Sequence, residues 1–228
     1  IWPKSASFKA LISVYHFPSV RLIESLLQEM FPSGYPVLCS SGRSALTLAL
    51  ISSEASRSDL VGVFPYAGHC VLDAISRITT PLAGPTAINA VLRIVYHQWG
   101  YVQEKRLPQN TIEDCVDTLC VPGAKLFPGG GLFEIWSLPK IIGVTSGGVL
   151  WCKDENTAVQ LRNLRDSRPG GLCQWLLRLL TLYVKRAYLY WHAEECNGGN
   201  VSLFQTGEIL MAIRKWPHFV SKRISYIN

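Results

Sequence analysis

The 228 residues include 22 lysines and arginines against 16 aspartates and glutamates, a net charge of +6, with 48% hydrophobic, 11% aromatic and 17% charged residues. That much apolar material excludes a disordered chain, and a length between one and two typical domains allows a buried core. The modest positive excess suits phosphate-bearing ligands but is spread too thinly for a nucleic-acid track.

The predicted elements begin between Pro18 and Pro32, where Val20, Leu22, Ile23, Leu26, Leu27 and Met30 recur at helical spacing before Pro32 and Gly34. A strand over Tyr35 to Cys39 runs through the turn Ser40-Ser41-Gly42-Arg43-Ser44 into the apolar helix Ala45 to Leu50. A second strand, Val61 to Phe64, precedes a helix from about Gly68 to Ile78. Thr79 to Pro85 is turn-rich, and Val91 to Tyr96 is a strand ending at His97-Gln98-Trp99-Gly100. Thr111-Ile112, Leu132 to Trp136 and Gly147 to Cys152 are further strands. Alternation of this kind predicts an α/β fold with a mostly parallel central sheet and helices on both faces, whose ligands sit at the carboxyl ends of the strands.

From Glu155 onward the pattern is helical: to about Arg165, from Leu172 to about Trp191 after Pro169-Gly170-Gly171, and near Ser202 to Arg214. This divides the chain into an α/β portion, 1–154, and a helical C-terminal region, 155–228. The Leu172 to Trp191 stretch serves either as a core helix with a basic edge or as a partner surface. Arg178, Lys185 and Arg186 interrupt it, so it is not a transmembrane span. Ile1-Trp2-Pro3-Lys4 lacks the basic head and apolar run of a signal peptide. Seven cysteines, with no C-x-x-C pair and no zinc-spaced cluster, read as reduced thiols of a cytoplasmic protein without a metal site.

Three polar features could carry chemistry. The Ser41 to Ser44 turn at a helix start is either a phosphate cup or an ordinary cap. Ile112-Glu113-Asp114-Cys115 ends a strand in acids that either serve a ligand or cap a turn. Ser137-Leu138-Pro139-Lys140, followed by Ser146-Gly147-Gly148, sets a lysine among Ile135, Trp136, Leu138, Pro139, Ile141 and Ile142. Such surroundings favour burial and a lowered amine pKa, or a lysine snorkelling from a core edge.

In this order the features resemble the DegT/DnrJ-type sugar aminotransferases, pyridoxal 5'-phosphate (PLP) enzymes of fold type I. His97 and Gly100, and the seven-residue step from Lys140 to Gly147, support the resemblance, which runs from about Pro18 to Arg165. It implies that Lys140 is the Schiff-base lysine and that Asp114 pairs with the ring nitrogen of the cofactor. It further implies that Gly42, Arg43, Ser44 and Ser137 lie at the phosphate and that His69 stacks on the ring; an ordinary helix-start histidine is the alternative for His69, and neighbouring Tyr66 could also stack. The implied function is transfer of an amino group, glutamate being the expected donor, to a nucleotide-linked keto-sugar, in a homodimer whose sites lie at the interface. No nucleic-acid partner is expected.

The chain departs from that pattern in several places. Arg43 stands where the family has Thr, Asp117 where it has Gln or His, and Ile135 where it has Ser. The intervals Thr79 to Val91 and Tyr101 to Thr111 are short, and the family's C-terminal small domain is largely missing, as in an abridged member. These departures leave two rivals in place: a non-catalytic relative acting as a binding or scaffolding subunit, and a PLP-dependent sugar dehydratase.

Overall fold

The computed structural model describes residues 18–84, 89–97, 102, 106–118, 120–169, 172, 176 and 197–225. Helix α1, Val20–Met30, is capped by the Ser19 hydroxyl, which accepts from Leu22 N, and it buries Ile23 and Leu27. Strand β1, Tyr35–Cys39, leads into α2, Gly42–Ser52. There follow β2, Leu60–Val63, α3, His69–Ser76, β3, Thr80–Ala83, β4, Leu92–Tyr96, and β5, Thr111–Asp114. Strand β6, Phe133–Ser137, runs into the short helix α4, Leu138–Ile142, and then β7, Gly148–Cys152. Helices α5, Glu155–Asp166, and α6, Leu203–Ile224, complete the described elements.

The seven strands form one sheet in the order β1-β7-β6-β5-β4-β2-β3. Neighbours are parallel from β3 through β6, whereas β7 is antiparallel to both β6 and β1. The exception has a local cause: α4 is too short for a crossover, so the chain turns back beside the strand it has just left. As a result the first residue of β7, Gly148, lies level with Ser137 and Cys39, the last residues of β6 and β1.

Apolar residues cover both sheet faces. On one, Val37, Ile94, Ile112, Ile135 and Leu150 pack with Leu48 of α2, Ile75 of α3 and Leu161 of α5. On the other, Leu38, Trp136, Val149 and Trp151 pack with Leu27 of α1, Ile141 of α4 and Ile209 and Trp216 of α6. Phe31 lies at the centre of the second layer, with ring centroids 4.8 Å from Trp136 and 5.4 Å from Trp216.

The structure corrects two local expectations. The interval expected to be turn-rich contains β3, whose Pro81 is tolerated because β3 is an edge strand paired only with β2. The last helix runs ten residues past Arg214, through exposed Pro217, because Trp216 and Val220 continue its buried stripe. Most of the helix expected from Leu172 to Trp191, with Cys173 and Cys196, lies outside the described residues, as do Gln98, Trp99 and Gly100. Among the described residues no helix is long and apolar enough to cross a membrane.

Candidate active site

The alternation of side chains along a strand decides what gathers at the carboxyl edge of the sheet. Ile112 and Ile135 face α2, so Asp114 and Ser137, two residues further on, leave the same face. Tyr96 follows Ile94 in the same way and is paired in register with Asp114. Over this edge stands the start of α2. A Cβ built on Gly42 would lie 3.4 Å from the Ser137 Cβ and the Trp136 carbonyl oxygen, so the helix N-terminus and Ser137 are in contact.

That N-terminus is organised by hydroxyls. Ser41 accepts from Ser44 N at 3.0 Å, and the Ser44 hydroxyl lies 2.8 Å from that of Ser40 and donates to Asn197 at 3.4 Å. Ser44 is therefore turned into the protein, while Gly42 and Arg43 are half-buried. The turn is backed by Gln205, which is buried and donates to the Ser146 hydroxyl at 2.6 Å and to the Ser40 carbonyl at 3.3 Å.

Burial pushes the Asp114 carboxyl up to about 6, opposed by the Val116 N–H it accepts at 3.1 Å and by the charges of Lys140 and His97. Lys140 is thus within electrostatic range of Asp114. Its ammonium meets Asp117 at 3.0 Å, with the two side chains 44% and 35% exposed. This overturns the expectation of a lysine buried among apolar neighbours. Leu138, Pro139, Ile141 and Ile142 are buried, but the single turn of α4 directs Lys140 outward, where a carboxylate rather than apolar surface receives it.

Glu113 points the other way. Buried on the opposite face, it accepts from Gly129 N, Gly131 N and the His97 ring at 2.8, 2.6 and 2.8 Å, while His97 N donates to the Asp114 carbonyl. His97 and Glu113 fasten together the ends of β4 and β5, which carry Tyr96 and Asp114. His69 begins α3 and is exposed; Tyr66, before it, is 83% exposed and stacks edge-on with Phe64 at 5.7 Å.

Sequence reasoning overlooked Tyr96, Asn197 and Gln205. The first was accessible from the parity of its strand, since Leu92, Ile94 and Tyr96 share a face. The other two lie more than 150 residues from the turn they support and carried no local signal.

The residues fit PLP. A helix N-terminus and Ser137 offer donors for a phosphate, a buried carboxylate near its neutral form would be drawn into ionisation by a cationic ring nitrogen, and an amine stands at the same edge. Tyr96 adds a buried hydroxyl with no partner.

A family model described as "Putative PLP-dependent aminotransferase" matches residues 23–228. No curated protein matches the chain in sequence. Among solved structures, the chain is similar to the aminotransferase from Psychrobacter cryohalolentis, with a TM-score of 0.67 and 16% identity over 99% of this chain and 66% of that one. It is also similar to the "Putative sugar aminotransferase" of Streptococcus pneumoniae in its PMP form, with a TM-score of 0.65 and 14% identity over 98% and 67% of the two chains. The corresponding values for 3-amino-5-hydroxybenzoic acid synthase are 0.63 and 15% over 99% and 65%. The chain spans about two thirds of the length of these structures, and at such identities they share its fold, that of PLP fold type I. With the family model covering most of its length, the chain belongs to the PLP-dependent aminotransferase family.

Proposed function

We propose that the chain is the cofactor-binding part of an aminotransferase that moves an amino group from an amino acid, glutamate in the first instance, to a nucleotide-linked keto-sugar. The observation that carries this reading is the common edge: Asp114 ends β5, Ser137 ends its parallel neighbour β6, and Lys140 follows in α4 and reaches Asp117 at 3.0 Å, beside a helix N-terminus that touches Ser137. PLP bound there supplies an aldehyde that accepts the amino group and a ring that takes up electrons when the substrate loses its proton.

The protein residues do the rest. Gly42, Arg43 and Ser137 hold the phosphate, with the α2 N-terminus adding its partial positive charge. Asp114, buried at the end of β5, would pair with the ring nitrogen and, once ionised by that cation, would keep the nitrogen protonated. Lys140 would hold the cofactor through its amine and, when that amine is free and neutral, would take up and return the substrate proton; Asp117, 3.0 Å away, accepts from the ammonium form and keeps it at the edge. His69 or Tyr66 covers the outer ring face. A second copy of the chain completes each site, and the compartment is the cytoplasm.

The test is the visible spectrum of protein mixed with PLP, before and after borohydride, for wild type and Lys140→Ala. A reducible chromophore in wild type that is lost in the variant is expected, with bleaching by glutamate and release of one 2-keto acid. A colourless wild type would refute the proposal in favour of a scaffolding role. Bleaching accompanied by loss of water from the sugar would replace transfer by dehydration.

A further inference from the structure

Tyr96 ends β4 with a phenol oxygen that is buried and without a hydrogen-bond partner. Buried hydroxyls are almost always paired, so one left open beside a ligand-binding edge points to a ligand atom. The register sets Tyr96 against Asp114 on the neighbouring parallel strand, and both side chains leave the α2 face about 4.8 Å apart at the backbone. Phe64 flanks the tyrosine, with ring centroids 6.3 Å apart. The titratable groups that influence its hydroxyl are Asp114 of β5 and Cys70 of α3, and burial, ahead of both, raises its pKa above the ordinary tyrosine range. The hydroxyl therefore remains a proton donor at any working pH.

Asp117, the position from which the resemblance leads one to expect a donor to the cofactor's phenolic oxygen, carries a carboxylate that can only accept when ionised and is engaged with Lys140. We infer that Tyr96 fills that role, its hydroxyl donating to the phenolic oxygen of the ring whose nitrogen faces Asp114. This rests on the proposed function, and it makes Tyr96 a cofactor-binding residue supplied by the strand next to that of Asp114.

The experiment compares wild type with Tyr96→Phe for binding of PLP and of its analogue lacking the ring hydroxyl. Loss of one hydrogen bond to a charged oxygen should reduce the preference for PLP over the analogue about ten-fold in Tyr96→Phe. The pH at which the bound chromophore changes colour should rise by about one unit, because the unsupported oxygen holds the neighbouring proton more tightly. The cofactor-free variant should melt no lower than wild type, since only an unpartnered hydroxyl is removed. Tyr96→Leu, which also lacks the hydroxyl, provides the same readout if Tyr96→Phe does not fold. An unchanged preference and an unchanged colour midpoint would overturn the inference while leaving PLP binding intact. Failure of wild type to take up either compound would instead sink the underlying proposal.

Discussion

Replacing Gly148 by Ala tests whether the strand-to-helix turn is pinned to the sheet. Gly148 opens β7 between Cys39 and Ser137, and an added Cβ would lie 2.4 Å from the carbonyl carbon and oxygen of Ser41 and 2.5 Å from Gly42 N. These are backbone atoms at a helix cap and cannot rotate away. Overpacking a core costs about 1–3 kcal/mol; with three backbone contacts at once, Gly148→Ala belongs at the upper end, about 3 kcal/mol. For a protein of this size each kcal/mol lowers the melting temperature by about 2–4 °C, so the expected loss is about 6–12 °C. Gly42→Ala is the control, because its Cβ meets nothing closer than 3.4 Å. Alanine at a compatible helical position stabilises by about 0.4–1 kcal/mol, so this variant should melt at or slightly above wild type. It should nonetheless weaken PLP binding, since the new methyl fills the space between the helix start and Ser137. Circular-dichroism melts of the cofactor-free proteins provide the first comparison. A Gly148→Ala melting temperature within about 2 °C of wild type would refute the close approach of β7 to this turn.

Two further variants probe the buried charge and the packing of the last helix. Asp114, raised from 3.8 to about 6, binds more protons folded than unfolded between those values, so without cofactor the folded state loses stability as pH rises through that window. Asp114→Asn cannot ionise and should be the more stable protein at pH 8, by up to about 3 kcal/mol, with the difference vanishing near pH 4; parallel melting curves against pH would exclude this. Trp216 is buried against Phe31 and Trp136 and donates to the Cys120 carbonyl at 3.0 Å. Trp216→Ala should cost about 3–5 kcal/mol and lower the melting temperature by at least about 6 °C, and a smaller change would mean that α6 contributes little to the core.

Much of this architecture is legible locally. The helix over Val20–Met30 follows from spacing, and the apolar runs that become β1, β4, β6 and β7 are short and punctuated by turn residues. The edge strand β3 escaped because Pro81 and the flanking threonines mimic turn chemistry, and only its position outside β2 makes the missing N–H harmless. The C-terminal half of α6 escaped because Pro217 signals a helix end, a signal outweighed by the burial of Trp216 and Val220.

For the site the division is sharper. Lys140, Asp114, Ser137 and the turn at Gly42 could be nominated from residue type, their order along the chain and the family resemblance, with Asp114 and Ser137 just past predicted strands and Gly42 in the turn before a predicted helix. Their surroundings could not. That Lys140 faces Asp117 and solvent, that Glu113 is turned away toward His97 while Asp114 is not, and that an unpartnered Tyr96 stands beside Asp114 all depend on which strands are neighbours and in what register. Periodicity along the chain determines which side of its own strand a residue occupies. What stands across from it is decided by pairing between segments far apart in sequence, and that pairing exists only once the whole sheet has assembled.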